Sequence, residues 1–317
     1  MTVSPILLVS LLIVAAILLT KVGSRLGVPS LLLFLLLGMV AGADGLGLTF
    51  DSYKTAEFIG RISLSVIMFT AGLETPWSQT RPIFKPSIVL SILGVFLTMC
   101  LTGVFIYFVW GGRLCGLAAS LVGCLMIGAI LSSTDSASVF SILEGKRLHL
   151  REDLGPLLEV ESGSNDPIAN ILTIIMVSIL TATGKGSGWL MAADGALTFV
   201  LQVGVGLLTG LAIGYAGKWL LKVIHLDNVS LYAILILSIC LIANSLADTL
   251  QGNGLLAAYC AAIFIGNKSK LEHRHDVLKF FEALTWMMQL TFNSLHFLPN
   301  VWRSLHRNSK KKTNRML

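Results

Sequence analysis

The sequence predicts an all-α, polytopic helical membrane protein, and three observations carry that prediction. Of 317 residues, 55% are hydrophobic and 13% are charged, where a soluble domain holds about 25% charged residues. Apolar runs of about 18 residues or more, long enough to cross hydrocarbon as helices, recur along the chain. The polar connections between them are short, the longest being 44–56 and 144–154, with no soluble domain or low-complexity linker.

In chain order the expected spans are 4–20, 30–46, 57–73, 86–110, 114–143, 155–183, 195–217, 228–249 and 252–267. The first is expected to be a retained helix. A cleaved leader starts with basic residues, whereas the first cation here, Lys21, follows the apolar run. A tenth stretch, 278–300, carries Lys279, Glu282, Asn293 and His296, which a lipid-facing helix avoids. It is expected to pack on the surface or to be malformed. The count is therefore about nine to ten transmembrane helices, with nine favoured.

Charge sets the orientation. Connections after the odd spans hold thirteen Lys and Arg, against four (Lys54, Arg61, Arg113 and Lys185) after the even ones. The positive-inside rule then places the odd connections in the cytoplasm and the N-terminus outside, in the periplasm. The net charge of +6 resides in the tail after Trp302, which holds six cations and no acid; elsewhere 17 Lys and Arg balance 17 Asp and Glu. Such a tail is expected to rest on anionic lipid at the cytoplasmic face. The charge thus points to a lipid bilayer and to no nucleic acid. The five cysteines all lie in apolar runs without a C-x-x-C pair and read as small buried hydrophobes.

Two small-residue patterns concern packing. Gly206, Gly210 and Gly214 recur every four residues on one helix stripe, a spacing that lets helices approach closely. The stretches "SLLLFLLLGMVAG" from Ser30 and "GLLAAYCAAIFIG" from Gly254 share a small residue eight positions on (Gly38, Ala262) and a glycine twelve on (Gly42, Gly266). They are offset by 224 residues and separated by an odd number of spans. Two such copies would cross the membrane in opposite directions, as the inverted repeats of secondary transporters do.

The chemistry lies in the fifth and sixth spans. "GAILSSTDSASVF" packs Ser132, Ser133, Thr134, Asp135, Ser136 and Ser138 into seven positions. Non-helical backbone at membrane depth is tolerated where protein or a water-filled cavity surrounds it, and broken helices of this kind bind ions. A loop in which Ser, Thr and Asp cap a following helix is the alternative. The sixth span favours the first. Glu159, Ser162, Asp166 and Asn170 share one helical face. Glu161 stacks near Asn165. Pro167 has no N–H, so the carbonyl of Gly163 loses its helical partner. A carboxylate in a half-desolvated cavity is costly when charged, so Asp166 is expected to hold either a proton or a monovalent cation. Hydroxyl and carbonyl oxygens of Ser162 and Thr134 would complete a hard-cation shell without nitrogen or sulfur. No cofactor is required. Exchange of Na+ or K+ for protons follows from such a site opened alternately to each side.

"SSTDSASVFSIL" followed by "LLEVESGSNDPIANILT" resembles the paired signature of bacterial NhaP-type cation:proton antiporters, most of all the potassium/proton (cell volume regulation protein A-like) branch. "FTAGLET", "GNGLLAAYCAAIFIGN" and "FFEALTWMMQL" extend the resemblance to about Leu290. It implies a partial NhaA-like inverted-repeat antiporter fold in a bacterial inner membrane. It implies Thr134 and Asp135 at an unwound helix crossing, Asn165 and Asp166 as the ion-binding pair, and Glu161 and Ser162 in support. It also implies a homodimer, and Asn before Asp166 implies electroneutral exchange.

Beyond Leu290 the resemblance stops. The repeat offset places the mate of Asp135 near 359, past the last residue, 317. The expected organisation is an exchanger-type transmembrane domain, 1–290, with an incomplete second repeat, and an aberrant basic tail, 291–317. A truncated or frame-shifted, non-transporting antiporter fragment is the expectation's second form. An intramembrane aspartic hydrolase would use Asp135 and Asp166 as a dyad, yet there is no Gly-x-Gly-Asp stretch. An ion channel would need a selectivity filter that is not in the sequence.

Overall fold

A computed structural model describes residues 5–26, 28–42, 53–110, 120–134, 150, 154–181, 188–224, 228–268 and 274–297. Among the described residues the chain forms eleven helices and no strand. They are α1 (Pro5–Leu26), α2 (Ser30–Ala41), α3 (Tyr53–Glu74), α4 (Trp77–Thr80), α5 (Phe84–Trp110), α6 (Leu121–Ile130), α7 (Leu154–Thr181), α8 (Gly188–Val223), α9 (Val229–Thr249), α10 (Gly254–Lys268) and α11 (Arg274–Phe297). Asp135, Ser136, Ser138, Cys115 and the basic tail lie outside the described residues.

Five helical stretches are long and apolar enough to cross a membrane: Lys54–Glu74, Phe84–Val109, Leu154–Thr181, Ala193–Val223 and Val229–Thr249. Ser10–Gly23, Ser30–Ala41, Leu121–Ile130 and Gly254–Asn267 are shorter apolar helices. The expected spans thus coincide with helices among the described residues, though 114–143 is described only over 120–134 and is helical there only over Leu121–Ile130. The third begins earlier than expected, at Tyr53, and so takes in Lys54, which the sequence assigned to a connection; further along, the Arg61 guanidinium pairs with Glu57 one turn earlier at 3.1 Å, both side chains exposed. Of the two forms expected for 278–300, packing on one face is the one seen as far as Phe297: α11 is regular for 24 residues, buries Val277, Phe281 and Leu290, and is not among the helices long and apolar enough to cross a membrane. Lys279 and Glu282 sit on its exposed side.

The chain divides into two compact units. The first takes residues 1–64, 137–149 and 283–317. Its core joins Ala16 of α1, Phe34 of α2 and Leu290 of α11, lined by Ile13, Leu37 and Trp286. Phe34 and Trp286 meet edge to face at 5.3 Å, the arrangement that ring quadrupoles favour. Along α1, Leu7, Leu11, Val14, Leu18 and Val22 form an exposed apolar stripe suited to hydrocarbon.

The second unit takes residues 65–136 and 150–282 and holds the polar segments of the fifth and sixth spans. Here α5 packs on α6 and α7, α6 on α7, and α8, α9 and α10 pack on one another. Ser120 caps α6 by accepting from the Gly123 amide at 3.3 Å, and Asn228 caps α9 by accepting from the Ser230 amide at 2.9 Å; each satisfies a helix-end N–H that has no partner in its own helix. Cys124 and Cys240 are buried as expected, whereas Cys100 and Cys260 are partly exposed.

The glycine stripe of α8 packs against α10. A Cβ on Gly206 would lie 2.7 Å from the Asn253 carbonyl oxygen, and one on Gly210 would lie 2.5 Å from that of Ala257. One on Gly214 would lie 3.0 Å from Phe264 Cβ. Gly204, on the same helix, would meet nothing within 4 Å.

Gly210→Ala is therefore expected to destabilise the protein by about 1–3 kcal/mol through overpacking. Gly204→Ala is expected to be neutral or mildly stabilising. Melting temperatures of the two variants in detergent check the contrast.

Candidate functional site

Helix α7 brings polar side chains to the middle of the second unit. Ser162, Gly163, Ser164 and Asn165 are all buried, and Pro167 interrupts the hydrogen-bond ladder within the helix. Val95, Ile168 and Ala169, with Leu172 and Phe199, pack immediately beyond, so the polar turn abuts an apolar cluster.

The partners come from the residues that follow α6. That helix ends at Ile130, and a turn closes it: the Ser132 amide and hydroxyl both donate to the Ala129 carbonyl, at 3.2 and 2.6 Å. Ser133 and Thr134 are non-helical and are tied to α7. Ser162 Oγ donates to the Thr134 carbonyl oxygen at 2.5 Å. Asn165 Nδ2 donates to Thr134 Oγ1 and, at 3.3 Å, to Glu161 Oε1. Ser133 Oγ donates to Asp166 Oδ1. The two readings of this stretch therefore meet. α6 stops where a loop would begin, yet the backbone after it bonds to the middle of a buried helix.

Thr134, Glu161, Ser162, Asn165 and Asp166 are thus brought together, while Asp135 lies outside the described residues. Asn165 is 1% exposed and its Oδ1 accepts no hydrogen bond. Glu159 and Asn170, on the same stripe as Asp166, are exposed. Sequence reasoning missed two contributors. Ser133 was quoted in the polar run but given no task. Ser91 of α5 lies 2.9 Å from both the Ser87 and Glu161 carbonyl oxygens. Its one sequence signal is a pair of serines four residues apart in an apolar span.

Chemically, the cluster offers the carboxylate of Asp166, the carbonyl oxygen of Thr134, serine hydroxyls and the amide oxygen of Asn165. These are hard oxygen donors. Among the described residues no three His, Cys, Asp or Glu side chains converge as a transition-metal site would need. Glu161 adds a second carboxylate, which accepts from Asn165 Nδ2 at 3.3 Å, and the Asp166 carboxylate on its own can be neutralised by a single proton or a single alkali ion.

The sequence profile of the sodium/hydrogen exchanger transmembrane region matches residues 9–302. The chain is 38% identical over 285 residues to the K(+)/H(+) antiporter NhaP2 of Shewanella sp. (strain MR-4), which covers 89% of this chain and 47% of that protein. It is 32% identical over 286 residues to the K(+)/H(+) antiporter NhaP of Alkalimonas amylolytica, covering 90% of this chain and 47% of that one. The chain thus spans about half the length of these curated relatives. The sodium proton antiporter MjNhaP1 from Methanocaldococcus jannaschii, solved at pH 8, aligns with a TM-score of 0.71 at 19% identity over 92% of this chain and 71% of that one. The fold is therefore that of a sodium proton antiporter.

Asn165→Leu keeps the volume but removes both donated bonds. It is expected to cost about 1–3 kcal/mol by leaving Thr134 and Glu161 without their donor, read as a lower melting temperature. Ser91→Ala removes one hydroxyl and is expected to cost about 1 kcal/mol.

Proposed function

The chain belongs to the sodium/hydrogen exchanger family, and from that premise we propose that it exchanges a monovalent cation for protons, with the Asp166 carboxylate as their shared seat. The observation that carries this reading is the tie between Asp166, Asn165 and Ser162 on α7 and the non-helical Ser133–Thr134 segment. It gathers the Asp166 carboxylate and several neutral oxygens at one place in a membrane-spanning unit, with the Glu161 carboxylate held at its edge by Asn165.

The cycle follows from charge. Carrying an unneutralised carboxylate through a low-dielectric passage is costly. Asp166 moves between the two sides only when a proton or a cation neutralises it. The two exclude each other, and that exclusion couples their flows. Ser162 and Thr134 supply neutral ligands to the cation. Asn165 and Glu161 hold the Thr134 segment in register, and Asp135 follows Thr134 directly in sequence. Asn165 being uncharged supports one-for-one, electroneutral exchange.

K+ stands ahead of Na+ as substrate, because the relatives at 38% and 32% identity carry the name K(+)/H(+) antiporter. The setting proposed is a bacterial inner membrane, with the N-terminus periplasmic, the basic tail on the cytoplasmic leaflet, and a homodimer as the assembly. The function is transport rather than enzymatic turnover.

In proteoliposomes holding a pH-sensitive dye, K+ or Na+ pulses are expected to move protons in the unaltered protein. Asp166→Asn is expected to reduce that signal to the level of empty liposomes. Retained exchange in this variant would refute Asp166 as the seat. Competition also fixes the pH response: the apparent KM for the cation rises as pH falls, while the rate at saturating cation holds.

A further inference from the structure

A cavity of about 370 Å3 lies between α4, α5, α8 and α10, with Trp77, Phe84, Leu207, Leu211, Phe264 and Asn267 in its lining. That volume falls in the range of ligand pockets, roughly 300–1,000 Å3. Trp77 and Phe84 form one wall, their rings edge to face at 5.2 Å. Asn267 joins that wall to the end of α10. Its Nδ2 donates to the Thr75 and Ile263 carbonyls, each at 2.9 Å, and its Oδ1 accepts from the Trp77 amide at 2.8 Å. With this amide engaged, the rest of the lining is apolar apart from the Cys260 thiol, and it offers nothing to hold an ion or a sugar. Leu207 and Leu211 are each 42% exposed. The cavity therefore opens sideways from the membrane-spanning stretch Ala193–Val223 of α8. Water does not settle in an apolar cavity; an acyl chain does.

Cations gather at one end of this cavity. Helices α8 and α10 run side by side in the same direction, with Gly206 against Asn253, Gly210 against Ala257, Gly214 against Ala261 and Gly217 against Ile265. Lys218 therefore stands level with the stretch that carries Asn267. It follows Leu211 by seven residues and Leu207 by eleven, which puts all three on one stripe of α8. Lys222 comes one turn later. On the other wall, Arg81 lies between Trp77 and Phe84, its amide donating to the Trp77 carbonyl at 2.9 Å, and Lys85 follows Phe84 directly. Arg81, Lys85 and Lys222 are exposed and Lys218 is half-buried. Among the described residues none of the four is in an ion pair. No Asp or Glu occurs from Thr75 to Thr134 or from Gly195 to Leu226. Glu74, just before the Trp77 wall, has Arg274 as the cation that acts on it.

We propose that this cavity seats one anionic phospholipid, with an acyl chain along Leu207, Leu211 and Phe264 and the headgroup phosphate drawn to Lys218 and Lys85. The apolar lining accounts for the chain, and the uncompensated cations account for the sign of the headgroup. A zwitterionic phospholipid has the same chains but brings its own ammonium group, which these cations repel. A lipid so seated bridges the α4–α5 corner to α8 and α10. None of the lining residues belongs to the Asp166 cluster, so the inference goes beyond the exchange reading and stands or falls without it.

The test is native mass spectrometry of the purified full chain in a neutral detergent, titrated with phosphatidylglycerol and, separately, with phosphatidylcholine. Phosphatidylglycerol is expected to bind saturably and more tightly than phosphatidylcholine. Lys218→Gln and Lys85→Gln are each expected to weaken phosphatidylglycerol about fivefold, the worth of one cation beside anionic lipid, and to leave phosphatidylcholine unchanged. Lys54→Gln, which neither lines nor flanks the cavity, is expected to change neither. Leu211→Trp puts a larger side chain into the cavity from its open side. It is expected to weaken phosphatidylglycerol roughly tenfold or more, since displacing two buried methylenes already does so, with the melting temperature of the lipid-free protein unchanged. Equal binding of the two lipids overturns the proposal, as does normal phosphatidylglycerol binding in Leu211→Trp or in both lysine variants. Loss of both lipids together in Lys218→Gln also overturns it, because a headgroup contact does not act on phosphatidylcholine. If Leu211→Trp turns dimers into monomers while phosphatidylglycerol still binds, a second copy of the chain covers the groove and the proposal falls.

Discussion

The hydrogen bond from Ser162 to the Thr134 carbonyl expresses the constraint on which the rest of the site depends. In hydrocarbon every backbone polar group needs a partner. Helix α6 ends at Ile130, so the residues after it have no helical ladder to satisfy them. The Thr134 carbonyl finds its partner on a neighbour, Ser162 of α7, while Asn165 and Asp166 meet the Thr134 and Ser133 hydroxyls. The same bonds explain why α7 tolerates so many polar residues. Facing lipid, these side chains would each carry a desolvation cost; turned inward against Ser133 and Thr134, they are paired. Polar helix and broken backbone therefore stabilise each other, and neither would be tolerable alone.

Close packing elsewhere in the unit serves this arrangement. Gly206 and Gly210 let α8 lie against the α10 backbone, and Gly72 and Gly163 receive the Tyr259 ring from α10. A shift of α10 would thus be felt at Gly163, the residue between Ser162 and Ser164. Contacts through glycine leave no side chain to give way, so the approach of these helices is set by backbone against backbone.

Helix locations were legible in the sequence because an apolar run has few other ways to exist at this composition. The residues of the polar turn were legible too: an acid, an amide and a proline at the head of a long apolar run are costly enough to stand out. What the sequence did not reveal is which helix faces which. Ser91 reaches the Glu161 carbonyl across 70 positions of sequence, and Tyr259 reaches Gly163 from α10; nothing local marks either. For 278–300 the sequence left surface packing and malformation open, and what decided between them is that α11 buries Val277, Phe281 and Leu290 and leaves Lys279 and Glu282 outside. A helix needs one apolar face rather than an apolar circumference.

The identity of residue 165 follows from its hydrogen bonds. Asn165 Nδ2 is the donor to both Thr134 Oγ1 and Glu161 Oε1. An aspartate at this position would have acceptors where a donor is needed, and would set its carboxylate against that of Glu161, 3.3 Å from the present amide nitrogen. Two adjacent carboxylates in one buried site cannot both remain charged without a cation between them. The amide therefore does two things at once. It holds the Thr134 segment, and on the proposed reading it leaves Asp166 as the one acid of the Asn165–Asp166 pair to trade a proton for an ion. On the proposed reading, the one-for-one character of the exchange is fixed by this hydrogen-bond donor, since replacing it with a second acid would change the charge carried and loosen the backbone that completes the site.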